Sequence, residues 1–402
     1  MKFLQDVDVK NKRVLVRADF NIFLDTGRKT EDDFRIRAVL PTINYLLKNQ
    51  AKIVLMSHLG RPEGKIVENL RLNRAREILT KYLDVSVAKA PDCFGSEIEQ
   101  WTKQMQSGEI LLLENLRFHA GEEENDINFA KQLARLGDIY VNDAFGVSHR
   151  QHASVCAITK FLPSVAGLLL ESEIKNLDRA LKAPKSPMVV IIGGVKISTK
   201  IRFIENFLKK AEYIILGGAL ANTVLFAKGL AIGKSIIEKE MLPEIKKLNL
   251  TDGKMHIPLD VVVAINKIDQ SSAKIVGTGR VEDDEIILDI GPETINLFSK
   301  IIKEAKTIIW NGPMGYFEVP AFSRGSEIIA KAIADNQEAF SIVGGGETIA
   351  LINEMGLVEK FDHISTGGGA MLAFLAGEKL PGIEALKSKK YHPAGDRPKG
   401  GK

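Results

Sequence analysis

The sequence is poor in cysteine, with only Cys93 and Cys156 among 402 residues. Two thiols so far apart exclude a disulfide framework and a cysteine-rich metal site. A chain that does not depend on disulfides suits a reducing compartment. We therefore expect a cytoplasmic location.

An excess of one charge is also lacking, because 55 basic residues are nearly balanced by 51 acidic ones and no basic arm is present. This balance does not predict a nucleic-acid partner. Long apolar runs are missing too: "PMVVIIGGV" is far shorter than a bilayer span, and "MKFLQDVDVKNKR" at the start is charged where a signal peptide is apolar. We therefore expect no membrane partner.

What is present is the composition of a globular protein, with 45% hydrophobic and 26% charged residues over a length that favours two domains. Short β-branched runs alternate with stretches of helical periodicity, which predicts parallel α/β structure. In the first half the predicted strands are 13–20, 52–60, 109–118 and 138–146, and predicted helices include 35–49 and 127–137. The amphipathic stretch 168–184 is predicted to be a helix connecting the domains.

Glycine-rich turns are the main feature of the second half. They recur in 189–200, 213–223, 308–315, 341–350 and 363–372, each after a predicted strand. A doubly wound sheet binds ligands at the carboxyl ends of its strands, and helix N-termini there attract anions. The series therefore predicts a phosphate-rich ligand, in contact with Gly344, Gly345 and Gly346. For any single turn, positive φ or close packing explains the glycines equally well.

Two nucleotide motifs can be excluded. "GLAIGKS" (229–235) has three residues between its glycines where a Walker A motif has four, and it follows a helical stretch. "GTGRVE" lacks the third glycine of the dinucleotide fingerprint. Any nucleotide site must therefore have another form.

Charged side chains accompany the glycine turns. Lys196 and Lys200 stand four apart at the start of a predicted helix, where an anion between them would remove their repulsion. Pairing with solvent or with Glu205 is the alternative. Glu347 opens the helix after "GGG" and could hold the Mg²⁺ of a nucleotide, although a carboxylate also suits a helix N-terminus without further role.

In the first half, cationic side chains gather at predicted strand ends and helix starts. They are Arg17, Arg35, His58, Arg61, Arg117, His149, Arg150 and His152. Asp19 and Asn21 point the same way if the strand continues, and could hold hydroxyl groups. A small, anionic, hydroxylated substrate is predicted. Each of these residues could instead be an ordinary surface or packing residue.

The assembled motifs closely resemble the phosphoglycerate kinase family. They include "RVLVRADFN", "SHLGRP", "LLLENLRFH", "NDAFGVSHRQHAS", "GGVKIS", "LGGALANT", "WNGPMGYFE", "GGGET" and "STGGGAMLAFLAGEKLPGIEAL", and they cover nearly everything before Lys387. The resemblance implies Mg²⁺-dependent phosphoryl exchange between 1,3-bisphosphoglycerate plus ADP and 3-phosphoglycerate plus ATP. It also implies a monomer with two similar doubly wound, Rossmann-like domains.

The resemblance also implies the site residues. For 3-phosphoglycerate they are Asp19, Asn21, Arg35, His58, Arg61, Arg117 and Arg150. For the nucleotide they are Lys196, Lys200, Gly217, Gly218, Asn311, Glu318 at the ribose, Gly344, Gly345, Gly346, Glu347 as Mg²⁺ ligand, and Thr348. Arg35, Lys200, Gly346 and Gly369 are implied to act on the transferring phosphoryl group, with Gly367 to Gly369 adding helix-end N–H groups.

The expected domain organisation follows. A 3-phosphoglycerate-binding domain comprises 1–167, a connector helix that acts as a hinge 168–184, and a nucleotide-binding domain 185–380. The segment 381–402 returns to the first domain and ends in a basic tail. Departures from the family pattern are "RADFNIF" where a valine and a proline are common, Thr199 where an acid is common, and Glu347 where the family usually has aspartate.

The implied chemistry needs no general base, because a glycerate carboxylate is already ionised at neutral pH. Positioning and charge neutralisation suffice. Two alternatives remain open at this point. One is a kinase for another carboxylate such as acetate or aspartate, and the other is an inactive nucleotide-binding scaffold.

Overall fold

The computed structural model describes residues 1–22, 33–248 and 252–387. The chain divides into two compact units. Unit 1 comprises Met1–Lys175 and a second segment that begins at Lys379, and unit 2 comprises Asn176–Glu378. The boundary between them falls inside the helix Leu168–Lys182, within the stretch predicted as a connector.

Unit 1 is built on a parallel sheet of six strands in the order β3-β4-β2-β1-β5-β6. The strands are β1 (Arg13–Arg17), β2 (Lys52–Met56), β3 (Val87–Lys89), β4 (Ile110–Leu112), β5 (Ile139–Asn142) and β6 (Ser164–Ala166). Central strands β1 and β2 are buried along all but their first residue. Burial on both faces is what their unbroken runs of Val, Leu and Ile require.

Helices cover this sheet. They are α1 (Phe34–Lys48), α2 (Asn73–Tyr82), α3 (Ser96–Gln104), α4 (Ala120–Glu123), α5 (Ile127–Ala134) and α6 (Leu168–Lys182). In α1 the apolar residues Ile36, Val39, Ile43 and Leu46 recur every three or four positions. They lie on one face, and all four are buried in the same core cluster as the strand residues.

Unit 2 contains a second six-stranded parallel sheet, in the order β15-β14-β13-β7-β8-β9, and a separate antiparallel sheet, in the order β11-β10-β12. The parallel strands are β7 (Met188–Ile192), β8 (Tyr213–Leu216), β9 (Met255–His256), β13 (Thr307–Asn311), β14 (Phe340–Gly344) and β15 (His363–Ser365). The antiparallel strands are β10 (Asp260–Ala264), β11 (Lys274–Gly277) and β12 (Ile286–Ile290). Two parallel sheets with helices confirm the predicted α/β class.

The helices of unit 2 follow its strands. They are α7 (Ile201–Leu208), α8 (Gly218–Ala227), α9 (Leu242–Lys247), α10 (Pro292–Glu304), α11 (Arg324–Asp335), α12 (Gly346–Glu354) and α13 (Gly368–Leu375). The last described helix, α14 (Pro381–Lys387), lies in unit 1, where the Gly382 amide donates to the Ser148 carbonyl over 2.9 Å. Among the described helices, none combines the length and the apolar character needed to cross a bilayer.

The structure differs from the sequence-based predictions in several places. The antiparallel sheet was not predicted, because its strands are joined without intervening α-helices, and the edge strands β3, β6 and β9 were not predicted either. The strands predicted over 13–20, 52–60, 109–118 and 138–146 end earlier, at Arg17, Met56, Leu112 and Asn142. The helix predicted to begin near Lys196 begins at Ile201, so the two lysines do not share a helical turn. The Glu238 carboxylate accepts hydrogen bonds from the Ile197 and Ser198 amides and thereby holds the preceding segment as an irregular loop.

Asp143 anchors the start of α6 within unit 1. Its Oδ1 accepts from the amides of Leu169 (3.0 Å) and Leu170 (3.1 Å), while its buried Oδ2 has no partner among the described residues. A Cβ on Gly167 would lie 2.2 Å from Oδ1, which explains the glycine before this helix. Burial raises the pKa of Asp143 to about 7.

A raised carboxyl pKa makes the folded state bind more protons than the unfolded state, so this residue should lower stability as the pH rises from about 4 to about 7. We expect the Asp143→Asn variant, whose side chain cannot titrate, to lack this pH-dependent loss of stability. The stability of the variant relative to the native chain should grow by up to about 4 kcal/mol over this range. Urea unfolding at several pH values measures it. A pH-independent difference between the two proteins would contradict the assignment.

Candidate active site

All seven residues implied for the triose substrate line one cavity of about 260 Å³ in unit 1. They are Asp19, Asn21, Arg35, His58, Arg61, Arg117 and Arg150. Most follow the carboxyl ends of β1, β2, β4 and β5, while Arg35 lies in the first turn of α1. His149, singled out in the sequence, also lines the cavity, whereas Arg17 is fully buried and outside the lining.

Backbone carbonyls hold two of the arginines in place. The Arg35 guanidinium donates to the Asn21 carbonyl over 2.6 Å, and that of Arg117 donates to the Gly60 carbonyl over 2.7 Å. Asn21 Oδ1 in turn accepts from the Gly60 amide at 2.8 Å. The Arg117 guanidinium is poorly solvated, and this burial lowers its pKa. Four arginines against one aspartate leave the cavity suited to an anion.

His58 has a defined protonation state at this cavity. The buried Arg17 guanidinium lies 3.3 Å from His58 Nδ1, and a guanidinium can only donate. Nδ1 therefore accepts, and the proton of the neutral ring resides on Nε2. Burial, with the nearby positive charges of Arg17, Arg117 and Arg35, lowers the pKa of His58 well below its usual value. His58 is thus a neutral donor.

Arg17 is itself held by a buried polar chain. Its Nε donates to Ser154 Oγ over 2.8 Å, and the Ser154 hydroxyl donates to the Glu122 carboxylate over 2.6 Å. The Ser154 amide reaches the other oxygen of Glu122 at 2.9 Å. The side-chain polar groups of Arg17, Ser154 and Glu122 all have hydrogen-bond partners. These bonds fix the Arg17 guanidinium, which in turn orients His58.

Unit 2 contains a second cavity, of about 150 Å³. One wall comes from the antiparallel sheet and is apolar, with Val261, Ile286 and Leu288 among its residues. The glycine turns and the loop after β13 form the rest, and there Gly218, Glu318 and Glu347 of the predicted nucleotide residues reach the lining. The sequence prediction missed the apolar wall. The β-branched runs "DVVVA" and "EIILDI" were the signal for it.

Other predicted nucleotide residues lie outside that lining. Lys196 is exposed on the loop before α7, and Lys200 is buried, with its ammonium donating to the Gly193 carbonyl. Asn311 donates from Nδ2 to the Gly344 carbonyl over 3.0 Å. Thr348 accepts from the Gly312 amide over 2.9 Å. These last two contacts fix one glycine turn to its neighbour.

Close backbone packing explains several glycines of these turns. The Gly218 amide donates to the Met314 carbonyl over 2.8 Å at a φ of +60°, and a Cβ there would lie 2.7 Å from the Gly194 nitrogen. For Gly218, which meets backbone atoms, the packing explanation is sufficient. A Cβ on Gly344 would lie 2.6 Å from Met371 Sδ, the flexible end of a side chain, so packing is a weaker explanation for that glycine. Gly346 differs because it is the first residue of α12. Its amide and those of Glu347 and Thr348 belong to the first turn, where helix N–H groups have no acceptor within the helix.

The Lys200 ammonium and the Glu347 carboxylate both lie near Gly194, in the turn after β7. A Cβ placed on Gly194 would be 3.1 Å from Lys200 Nζ and 3.9 Å from Glu347 Oε2. Burial lowers the pKa of Lys200 to about 8, against the opposing effect of Glu347 and Glu238. Lys200 is therefore charged at neutral pH and close to losing its proton.

Glu347 fits the role of a ligand to a nucleotide-bound cation. It is exposed in the first turn of α12 and lines the cavity, where anionic phosphates would also be favoured. Mg²⁺ commonly takes one or two carboxylates and completes its shell with phosphates and water. A single carboxylate here suits a Mg²⁺–nucleotide complex better than a free ion.

The fold and the two cavities are those of a two-unit α/β phosphotransferase. The family model described as phosphoglycerate kinase matches residues 4–378. The chain belongs to the phosphoglycerate kinase family, whose members are phosphotransferases with a carboxyl group as acceptor.

Relatives agree along almost the whole chain. The phosphoglycerate kinase of Moorella thermoacetica is 49% identical over 390 residues, covering 96% of this chain and 99% of that protein. The solved phosphoglycerate kinase of Coxiella burnetii has a TM-score of 0.80 at 38% identity, covering 96% of this chain and 98% of its own. For the Pyrococcus horikoshii enzyme the TM-score is 0.85 at 34% identity, with the same coverage.

The pKa of Lys200 leads to one prediction. Activity should fall as the pH rises through about 8, because Lys200 loses its positive charge. Bound phosphates favour the charged form, so the decline in kcat should lie at higher pH than the decline in kcat/KM. The profile of Lys200→Arg should lack this decline, since arginine stays protonated. An unchanged decline in Lys200→Arg would assign it to another group.

The orientation of the His58 ring leads to a second prediction. ¹⁵N NMR at neutral pH should show the ring uncharged and protonated on Nε2. His58→Gln assigns the signal, and Arg17→Met, which removes the donor, should release the tautomer preference. A ring that is charged at neutral pH would contradict the lowered pKa, and a proton on Nδ1 would refute the orientation.

Proposed function

We propose that the chain catalyses the reversible transfer of a phosphoryl group from 1,3-bisphosphoglycerate to ADP, giving 3-phosphoglycerate and ATP. The observation that carries this proposal is the unit 1 cavity, where all seven residues implied for the triose meet. Membership of the phosphoglycerate kinase family supports it. We further propose that the enzyme acts as a monomer, as the family resemblance implies, and that it is located in the cytoplasm, which the scarcity of cysteine favours.

Unit 1 is proposed to bind the triose. The guanidinium groups of Arg61, Arg117 and Arg150 suit the phosphate, since each offers a planar set of donors. Asp19 and Asn21 would receive the hydroxyl group of glycerate. His58, neutral with its proton on Nε2, would donate to the anion without competing for a proton.

Unit 2 is proposed to bind the nucleotide. The apolar wall from the antiparallel sheet suits the base, and Glu318 would accept from the ribose hydroxyls. The amides of Gly346 to Thr348 suit the phosphates. Lys196 is exposed, and its long side chain is proposed to reach the same phosphates. Glu347 would hold Mg²⁺, which screens the negative charge of the phosphates when bound.

The chemical step needs charge neutralisation rather than proton transfer. The attacking carboxylate is ionised, and His58 is a neutral donor, so no residue has to act as a base. Arg35 and Lys200 are proposed to contact the transferring group, with the Gly369 amide of α13 beside them. A charge-assisted hydrogen bond contributes about 1.5 to 3 kcal/mol, and more where water is excluded.

The two ligands are assigned to different units, whereas in-line transfer requires reacting atoms about 3 Å apart. We therefore propose that the units close during turnover, with α6 and the adjoining loops as the hinge. Closure would also protect the acyl phosphate from water. Small-angle scattering should show compaction only when both substrates are bound, and an unchanged profile would count against the hinge.

A coupled assay tests the function. With ATP, Mg²⁺ and 3-phosphoglycerate, the product is reduced by added glyceraldehyde-3-phosphate dehydrogenase, and NADH oxidation is followed. We expect turnover. Phosphorylation of acetate or aspartate in place of 3-phosphoglycerate would favour another carboxylate kinase, and nucleotide binding without turnover would favour an inactive scaffold.

Two arginines of α1 provide a matched pair for the same assay. Arg35 lines the cavity, while Arg37 on the same helix pairs with Asp33 and does not. Arg35→Ala should lower kcat about 10- to 150-fold, the equivalent of about 1.5 to 3 kcal/mol, with the KM for ATP unchanged. Arg37→Ala should retain native kinetics. Equal losses in both variants would show that the defect lies in the helix rather than in the contact.

A further inference from the structure

A cluster of metal-ligand type lies in unit 1 outside the triose cavity. Asp92 and Cys93 follow β3, and His119 follows the 3₁₀ turn Leu116–Phe118. One carboxylate oxygen, one sulfur and one imidazole nitrogen lie within 4.8 Å of one another. Neither the substrate-binding residues nor the nucleotide-binding residues include them.

The cluster has a buried floor and an open side. Cys93 has no exposed surface, whereas the side chains of Asp92 and His119 are 48% and 29% exposed. Asp92 Oδ1 is fixed by the Cys93 amide at 2.7 Å and meets His119 Nε2 at 2.7 Å. Solvent therefore reaches two of the three groups.

Aromatic rings hold the imidazole of His119 at this position. The rings of Phe94 and Phe129 lie 4.8 Å and 5.7 Å from it, centroid to centroid. Phe94 and Phe129 also contact each other edge to face at 5.7 Å. A ligand nitrogen that is oriented by packing loses little side-chain entropy when it binds a metal.

We propose that Asp92, Cys93 and His119 bind a divalent transition metal such as Zn²⁺ or Co²⁺. A mixed set of sulfur, nitrogen and oxygen suits these ions, whereas Mg²⁺ and Ca²⁺ select oxygen. The open side would leave the fourth tetrahedral position to water, as three-ligand zinc sites do.

Coordination requires all three side chains to move. Tetrahedral zinc places nitrogen and oxygen ligands roughly 3.4 Å apart, so Asp92 and His119 must separate by about 0.7 Å from their hydrogen-bonded distance of 2.7 Å. Zinc places sulfur roughly 3.6 Å from those ligands, so a ligand atom at the 4.8 Å limit of the cluster must approach the sulfur by about 1.2 Å. The exposed Asp92 carboxylate can rotate to do so. The thiol proton passes to solvent as the metal–sulfur bond forms. The proton that His119 Nε2 shares with Asp92 is also released, and the neutral ring keeps its one N–H on Nδ1, so that the Nε2 lone pair binds the metal in place of the hydrogen bond to the carboxylate.

The site would also affect the triose cavity. His119 directly follows the turn that carries Arg117, and Arg117 lines that cavity while donating to the Gly60 carbonyl. A shift of His119 towards a metal therefore acts on Arg117 through the backbone of the one residue between them, Phe118. Zn²⁺ should raise the KM for 3-phosphoglycerate severalfold. This consequence rests on the proposed function, whereas metal binding does not.

Co²⁺ titration of the metal-free, full-length protein tests the site without using activity. One equivalent per chain should produce the intense visible bands of tetrahedral cobalt and a near-ultraviolet thiolate-to-cobalt band. Zn²⁺ should abolish both signals, and excess Mg²⁺ should not. The same spectra in Cys156→Ser, which alters the other cysteine, serve as the control.

The variants decide between coordination and a hydrogen-bonded cluster. Cys93→Ser should lose the thiolate band, and the half-exposed Asp92→Asn, whose fold is checked by circular dichroism, should bind Co²⁺ at least tenfold more weakly. Absence of the thiolate band in the native chain, or its persistence in Cys93→Ser, would overturn the site. A band in the native chain with a KM unaffected by Zn²⁺ would overturn the link to Arg117.

Discussion

Unit 1 depends on an excess of positive over negative charge in the lining of its triose cavity. Four arginines line a cavity with a single aspartate, and Arg117 is almost entirely buried there, with Glu123 at 3.2 Å as its acidic partner. Burial of Arg117 and repulsion from Arg17 and Arg150 cost free energy in the free protein. An anionic substrate removes that cost, so the charges that destabilise the free protein favour binding.

The supporting structure keeps these charges in place. In unit 1, backbone carbonyls hold Arg35 and Arg117, and the buried chain from Glu122 through Ser154 to Arg17 orients His58. In unit 2, the glycine turns are bonded to one another, so the strand ends form a rigid frame around the cavity. Preorganised donors of this kind need no rearrangement when a phosphate arrives.

The sequence was sufficient to predict the central strands of the parallel sheets, because these strands are unbroken apolar runs that alternate with amphipathic helices. The short edge strands β3, β6 and β9 were missed, since two or three residues carry no such pattern. The family resemblance implied the triose residues, and all of them except Arg35, which lies in the first turn of α1, follow a strand end. The antiparallel sheet could not be predicted, since its strands are joined without intervening α-helices. The loop before α7 was misread as helix because Glu238, a distant residue, holds its amides. Packing between turns, as at Gly344 and Met371, is likewise invisible in the sequence.

The central claim is that the two anionic ligands are divided between the units. Amide chemical shifts of the ¹⁵N-labelled protein test this most directly, with 3-phosphoglycerate and Mg–ADP added separately. The account predicts that 3-phosphoglycerate alone perturbs amides around Asn21, Gly60 and Arg150, and that Mg–ADP alone perturbs those around Gly218 and Gly346. Primary perturbation of the same unit by both ligands would contradict it.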